Sequence, residues 1–188
     1  MGTITWGQDI AEVYDSTTAS MFEPAVLDPV VDRLAALARG GRALEFAVGT
    51  GRVALALSAR GVELHGIELS PHMVEQLRAK PGADAITVTI GDMATTRVQG
   101  TFDLVYLVFN TITNVTTQAE QVAVFANAAA HLAPGGCFVV EVVVPQLVGS
   151  SIPVHGCPAW NVSINDGTGA DGRTLADDDT AKNRRPRR

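Results

Sequence analysis

The feature that most constrains the fold of this 188-residue chain is a glycine turn that follows an apolar segment. Residues 43–48 are mostly apolar and lead directly into Gly49 and Gly51. Because glycine has no Cβ, backbone N–H groups in such a turn can approach a ligand closely, and a positive φ costs little. The sequence from Arg52 onward predicts a helix whose positive N-terminal end faces the same point. The segment is therefore typical of a strand–turn–helix unit that binds a nucleotide-like cofactor.

A second apolar segment, residues 62–68, ends in an acid, Glu68. A carboxylate at the end of such a strand can accept hydrogen bonds from both hydroxyls of a ribose. Together with the glycine turn, this acid predicts a cofactor that contains a nucleoside.

The nature of that cofactor depends on Glu45, which comes shortly before the turn. Gly49, Gly51 and Ala54 match the dinucleotide pattern G-x-G-x-x-G/A, so an NAD(P)-dependent oxidoreductase is one interpretation. A negative charge at Glu45 would repel a pyrophosphate, however. It would suit a cofactor that carries an ammonium and a sulfonium group, as S-adenosylmethionine does.

The rest of the chain alternates between predicted strands and helices, which is typical of βαβ units in a parallel sheet. Strands are predicted at residues 42–47, 62–68, 86–90, 102–109 and 137–144, and helices at 52–60, 71–79 and 117–132. Residues 7–39 are predicted to be mostly helical, with breaks near Pro24 and Pro29. Ligands of such sheets bind beyond the carboxyl ends of the strands.

Four motifs in this order resemble those of the class I S-adenosylmethionine-dependent methyltransferases that act on small molecules. They are residues 45–51, 67–70, 91–93 and 132–136. The resemblance implies an α/β, Rossmann-like, doubly wound and mostly parallel sheet with helices on both faces. The family's sheet continues with two more strands, and we find one candidate for them, at residues 160–164. We therefore expect part of the C-terminal strands to be lacking.

The resemblance also implies the residues that bind S-adenosylmethionine. Glu45 is expected near the methionine amino group, directly or through water, Glu68 at the ribose, and Asp92 at the adenine amino group. The set predicted to bind the cofactor is Glu45, Ala47, Gly49, Gly51, Glu68, Leu69, Asp92, Met93, Asn110 and Tyr14. For two of them a plain structural role stays open: Asn110 as a turn residue, and Tyr14 as a helix-packing residue.

The expected reaction is a direct displacement in which the protein aligns a small-molecule acceptor with the S–CH₃ bond. The sequence identifies no catalytic residue and no general base. A non-catalytic or degenerate cofactor-binding protein is the main alternative, because the C-terminal part departs from the family pattern.

Composition limits the partners of the protein. A formal charge of −6 and a pI near 5.1 argue against a nucleic-acid partner. No apolar run is long enough to span a membrane, and the first residues do not resemble a signal peptide, so we expect a cytoplasmic protein. No His, Cys, Asp or Glu residues have the spacing of metal ligands, so we expect no metal site.

Three regions are expected. Residues 1–40 form an N-terminal helical cap, residues 41–148 the S-adenosylmethionine-binding core, and residues 149–188 an atypical, largely disordered tail rich in Gly, Ser, Asp and Arg. Because the tail offers little apolar material to cover the sheet, we expect a monomer of marginal stability or a homodimer.

Overall fold

The computed structural model describes residues 6–143 and 159–164, in which helices and strands alternate as predicted. The α-helices are α1 (Gln8–Thr17), α2 (Pro24–Ala38), α3 (Arg52–Ser58), α4 (Pro71–Arg78) and α5 (Gln118–His131). Short 3₁₀-helices occupy Ala19–Phe22, Ala83–Ala85 and Thr111–Asn114. The strands are β1 (Arg42–Phe46), β2 (Glu63–Glu68), β3 (Ile86–Ile90), β4 (Phe102–Leu107), β5 (Leu132–Val142) and β6 (Ala159–Ile164).

The strands form one sheet in the order β3-β2-β1-β4-β5-β6. The first five are parallel, and β6 pairs with β5 in the antiparallel direction. This arrangement confirms the predicted doubly wound fold. Chain order reverses between β1 and β4, and the carboxyl ends of two such strands diverge to leave a crevice where ligands bind.

Helices cover both faces of the sheet, and each face has its own apolar core. On one face, α2 and α3 contribute buried residues such as Leu34 and Leu57. On the other face, Val124 and Ala128 of α5 pack with Phe46 and other sheet residues. The sheet is therefore buried on both sides, which explains why its central strands are almost continuously apolar.

Proline marks one predicted helix boundary but not the other. Pro24 is the first residue of α2, where its missing N–H costs nothing, so the break predicted there is confirmed. Pro29 lies inside α2 without ending it, so the second predicted break is wrong. The missing N–H of Pro29 removes one helical hydrogen bond, to the carbonyl of Ala25, and α2 nevertheless continues to Ala38.

The region after β5 is described only at residues 159–164, which form β6 along the outer edge of β5. The short strand predicted at residues 160–164 is therefore present. The prediction of disorder for the other residues of the tail lies outside the described part of the chain.

Candidate functional site

A cavity of about 270 Å³ opens at the carboxyl ends of the strands, beside the point where chain order reverses. Most of the residues predicted to bind a cofactor line it: Tyr14, Ala47, Gly49, Glu68, Leu69, Asp92, Met93 and Asn110. Two predicted residues, Glu45 and Gly51, are not among the described residues of its wall. The fold thus brings together residues from five separate segments of the chain.

The turn after β1 takes the chain through the left-handed region three times. Ala47, Gly49 and Gly51 have φ values of 54°, 56° and 83°. Ala47 and Gly49 border the cavity, whereas a Cβ on Gly51 would lie 2.9 Å from Leu77 Cγ on α4. Gly51 is thus required by helix packing as well as by its φ. Ala47 carries a Cβ in a conformation that costs an L-residue about 1–2 kcal/mol.

Glu68, at the end of β2, connects the glycine turn to the start of α4. Its Oε2 accepts a 2.8 Å hydrogen bond from Gly49 N, and its Oε1 accepts a 2.9 Å bond from Ser70 N. Burial raises the pKa of this carboxyl, while the bonds from Ser70 and Gly49 oppose the shift. Each carboxylate oxygen has a second lone pair, so the group can still accept hydrogen bonds from a ligand in the cavity.

Glu45 lies behind the cavity wall, in the buried centre of the sheet. Its Oε2 accepts a 2.8 Å hydrogen bond from the Tyr106 hydroxyl on the adjacent strand β4. Burial raises the pKa of Glu45 to about 8, although the Tyr106 bond and the charge of Arg52 lower it. The sequence argument against a pyrophosphate relied on a negative charge, and a pKa of about 8 disfavours that charge near pH 7.

The loop after β3 is a tight turn built around Asp92. Its Oδ1 accepts a 2.8 Å bond from Ala94 N, and its backbone oxygen accepts a 2.7 Å bond from Thr96 N. A Cβ on Gly91 would lie 2.1 Å from Thr96 Oγ1, so this position requires glycine. The turn places both Asp92 and the buried side chain of Met93 at the cavity.

The segment after β4 makes an unusual turn at the opposite side of the cavity. Phe109 and Asn110 have φ values of 61° and 55°, and both line the cavity. Strand β5 holds this turn, because Glu141 Oε2 accepts a 2.7 Å bond from Phe109 N and Asn110 Oδ1 accepts a 3.2 Å bond from Val143 N. The Arg52 guanidinium lies 5.1 Å from the centre of the Phe109 ring, within the range of a cation–π contact.

The N-terminal segment covers the cavity with two aromatic side chains, Trp6 and Tyr14, whose ring centres are 6.3 Å apart. Burial raises the pKa of the Tyr14 phenol, so this group stays protonated near neutral pH. The Ser70 hydroxyl donates a 2.6 Å bond to the backbone oxygen of Trp6 and also caps α4 by accepting from Met73 N.

A second attachment joins α1 to the glycine turn. Thr50 Oγ1 donates a 2.6 Å bond to Asp15 Oδ1, and Lys80 Nζ donates a 2.7 Å bond to the backbone oxygen of Thr50. Lys80 also forms an ion pair with Asp15. These contacts hold α1 over the cavity.

Sequence reasoning missed several residues of this region. Those that border the cavity are Trp6, Met73, Phe109, Thr111, Thr113 and Asn114. Ile67 and Gly91 also border it, and both lie in the predicted motifs although neither was in the predicted binding set. Glu141 was missed as well, although it is an acid near the end of an apolar strand, as Glu45 and Glu68 are. The position of Glu141 at the end of an apolar segment was therefore a signal that the sequence contained. Trp6, by contrast, belongs to no periodic pattern.

Two observations concern other kinds of site. Among the described residues, no group of three or more His, Cys, Asp or Glu side chains could hold a metal ion. None of the helices in residues 6–143 is long and apolar enough to cross a membrane.

Residues 43–136 match the sequence profile of a family described as "Methyltransferase domain". No curated protein matches the sequence. Several solved structures do resemble the chain. The CcbJ methyltransferase from Streptomyces caelestis shares 30% identity with a TM-score of 0.63, over 89% of this chain and 72% of CcbJ.

Two further structures were solved with the cofactor bound. S-adenosylmethionine-bound CalS10 from Micromonospora echinaspora, an amino pentose methyltransferase of calicheamicin biosynthesis, shares 30% identity (TM-score 0.60, 81% of this chain and 68% of CalS10). The glycopeptide N-methyltransferase MtfA, in complex with S-adenosylmethionine, shares 25% identity (TM-score 0.59, 65% of this chain and 52% of MtfA). The chain thus spans about half the length of MtfA and about seven tenths of the other two.

Proposed function

The chain belongs to the class I S-adenosylmethionine-dependent methyltransferases, and from this premise we propose that it methylates a small-molecule acceptor by direct displacement. S-adenosylmethionine is the cofactor of the family. The observation that carries the proposal is the cavity at the reversal of strand order, where the predicted ribose acid Glu68 and the predicted adenine acid Asp92 face the same space.

In this proposal each group of residues binds a different part of the cofactor. Glu68 accepts hydrogen bonds from the ribose hydroxyls, Asp92 receives the adenine amino group, and Met93 packs on the base. Ala47, Gly49 and Leu69 approach the cofactor with their backbone at the wall of the cavity. This division leaves the side formed by Tyr14 and Asn110 for the methionine part and the methyl group.

Glu45 and Gly51 would act on the cofactor indirectly. Glu45 lies behind the glycine turn, where its carboxyl can respond to the charge of the methionine amino group directly or through water. Gly51 allows the turn to pass close to Leu77, which fixes the position of Gly49 at the cavity.

The chemistry needs little help from acid or base groups. The sulfonium methyl carbon is already electrophilic, so holding the acceptor in line with the S–CH₃ bond can supply several kcal/mol, up to roughly 7–11. The Tyr14 phenol has a raised pKa, which makes it a hydrogen-bond donor near neutral pH rather than a base. An acceptor that reacts as a neutral amine would need no stronger base.

An amino group on a sugar-like small molecule is therefore the acceptor that we propose first. CalS10 is described as an amino pentose methyltransferase and MtfA as an N-methyltransferase, which supports this choice. Threonine and asparagine side chains at the cavity, Thr111, Thr113 and Asn114, offer neutral hydrogen-bonding groups that suit a hydroxylated acceptor. The expected monomer or homodimer and the expected absence of a nucleic-acid partner stay predictions.

A methyl-transfer screen tests the proposal. Purified protein is incubated with S-adenosylmethionine and pairs of sugars that differ only in an amino or hydroxyl group, and formation of S-adenosylhomocysteine is measured. We expect turnover with at least one amino sugar and none with its hydroxyl counterpart. Turnover with the hydroxyl member alone would contradict the amine proposal, and binding without any turnover over a broad panel would favour a non-catalytic protein.

Cofactor choice is tested separately by thermal unfolding with S-adenosylhomocysteine and with NAD. A ligand at about 100 times its Kd should stabilise the folded protein by about 2.7 kcal/mol. We expect this shift with S-adenosylhomocysteine and not with NAD.

A further inference from the structure

The last turns of α5 contact the loop that carries Asp92 and Met93, from the side away from the cavity. Asn127 of α5 is 1% exposed. Its Nδ2 donates a 2.6 Å hydrogen bond to the backbone oxygen of Met93 and a 2.9 Å bond to that of Thr96. The carbonyl that Asn127 holds thus belongs to a residue that lines the cavity.

The orientation of this amide follows from its partners. Both are carbonyl oxygens, which only accept, so the NH₂ group must face the loop. The Asn127 Oδ1 is then buried with no hydrogen-bond partner among the described residues. A buried polar atom without a partner is costly, so the two bonds to the loop are the evident reason for an asparagine here.

His131 makes a second contact with the same loop, one turn further along α5. Its Nε2 lies 3.1 Å from Val98 N and accepts that N–H, so this nitrogen carries no proton. The proton is therefore on Nδ1, which donates a 2.8 Å bond to the backbone oxygen of Asn127. The contact with Val98 exists only while the imidazole is neutral.

We propose that Asn127 and His131 are positioning residues: they hold the loop of Asp92 and Met93 in the position from which these two residues contact the adenine ring. The proposal rests on the proposed placement of adenine at this loop. Val124 and Ala128 of α5 belong to the same apolar cluster as Met93, so the polar contacts of Asn127 and His131 add direction to an apolar contact between α5 and the loop. Loss of either polar residue is expected to leave the sheet intact and to displace the loop.

A dependence on pH follows from the His131 contact. A second proton would turn Nε2 into a donor that opposes the Val98 N–H. The groups that face the imidazole are the Arg97 guanidinium, which disfavours that proton, the His65 imidazole, whose own pKa is lowered by burial, and the rings of Phe46 and Phe102. Burial lowers the pKa of His131, so the contact is complete at neutral pH and is lost on acidification.

Two variants of His131 separate positioning from stability. The Oε1 of glutamine can reach the place of Nε2 and accept from Val98 N without titrating, whereas the side chain of asparagine is too short. The probe is 5′-methylthioadenosine, which contains the adenosine and lacks the amino acid part, so that Glu45 does not enter. Affinities are measured by calorimetry from about pH 7.5 down to about pH 4.5, because burial lowers the pKa of His131 below the ordinary imidazole value of about 6.5.

We expect the wild-type protein to lose about fivefold or more in affinity on acidification, the order of one lost hydrogen bond. His131→Gln should lose less affinity than the wild type across this range, because only the titration of Glu68, whose pKa is also raised, then acts on the probe. His131→Asn should bind weakly throughout. Asn127→Leu should also bind weakly at neutral pH. Unfolding in urea without ligand is recorded for each variant, because a purely structural role would lower stability and leave the affinity of the folded protein unchanged.

Equal affinity of His131→Asn and the wild type at neutral pH would overturn the proposal, as would a pH dependence in His131→Gln as large as that of the wild type. If the wild-type protein bound neither 5′-methylthioadenosine nor S-adenosylhomocysteine, the proposed cofactor site itself would fail. If the wild type bound the probe and the variants bound it equally well, only the positioning role would be overturned.

Discussion

The Tyr106 hydroxyl donates a 2.8 Å hydrogen bond to Glu45 Oε2, and both side chains are buried in the sheet beneath the glycine turn. Burial and the neighbouring carboxyl raise the pKa of Tyr106 well above its ordinary value, so the phenol always donates. Burial raises the pKa of Glu45 to about 8 despite this bond. The Glu45 carboxyl beneath the glycine turn is therefore an acid whose neutral form is favoured near pH 7.

This raised pKa predicts how stability depends on pH. The Glu45 carboxyl titrates near 4.5 when unfolded and near 8 when folded, so it stabilises the fold at low pH and loses that contribution as pH rises through about 8. Glu68 also has a raised pKa and acts in the same direction, so the test compares the wild type with Glu45→Gln. The difference between their unfolding free energies in urea should change with pH between about 4.5 and 8, by at most about 1.4 kcal/mol per unit. A constant difference would contradict the assignment.

Cofactor binding should release a proton from Glu45. The ammonium group of S-adenosylhomocysteine, placed near the glycine turn, would favour the charged carboxylate and lower its pKa. Calorimetric titration near pH 7 in buffers of different ionisation enthalpy counts the protons released. We expect a fractional release from the wild type that is absent in Glu45→Gln. Equal release from both proteins would place the ammonium away from Glu45.

The two glycines Gly51 and Gly61 offer a matched test of packing at the turn. Their φ values are 83° and 85°, but a Cβ on Gly51 meets Leu77 at 2.9 Å, whereas a Cβ on Gly61 meets nothing within 4 Å. Gly61→Ala should lower the free energy of unfolding by about 1–2 kcal/mol, because an L-residue is strained in this left-handed conformation. Gly51→Ala should cost about 1–3 kcal/mol more, from overpacking against α4. Urea unfolding measures both.

Leu77→Ala in the Gly51→Ala background provides the internal control. Removing the Leu77 side chain takes away the clash, so the double variant should be more stable than the sum of the two single effects predicts. Strict additivity would mean that the effect of Gly51→Ala comes from its backbone conformation alone.

The contacts that hold α1 over the cavity are expected to slow dissociation of the cofactor. Asp15→Ala removes both the Thr50 hydrogen bond and the Lys80 ion pair that hold α1 over the cavity. The dissociation rate of S-adenosylhomocysteine, followed by stopped-flow fluorescence, should rise about fivefold, the order of one hydrogen bond. Glu12→Ala, on the same helix, removes only a surface bond with Gln8 and should leave the rate unchanged. Equal effects would show that α1 does not close the cavity.

Much of the fold was predictable because apolar runs and glycine stops recur at the spacing of βαβ units. The carboxyl-end position of Glu68 and Asp92 follows from the same pattern, since every parallel strand ends at one edge of the sheet. Pro29 is the exception: a residue type that usually breaks helices sits where only one hydrogen bond is lost.

The rest of the site depends on contacts between distant parts of the chain. The charge of Glu45 could not be predicted because its burial and its partner Tyr106 are set by strand pairing. The sequence suggested that Gly51 lets the backbone approach a ligand. Only the fold shows that Leu77 fills the space where a Cβ of residue 51 would lie. Trp6 reaches the cavity because the Ser70 hydroxyl holds its carbonyl, a contact that no local pattern announces.

The strand order also indicates where mutations could alter the choice of acceptor. Glu68 ends β2 and Asp92 follows β3 on one side of β1, whereas Phe109 follows β4 and Glu141 lies in β5 on the other. Mutations of Phe109 and Glu141 leave untouched the hydrogen bonds from Gly49, Ser70 and Ala94 that hold Glu68 and Asp92. A new acceptor preference could therefore evolve by recombination within the β4–β5 half, provided that α5 is inherited together with the loop that it supports.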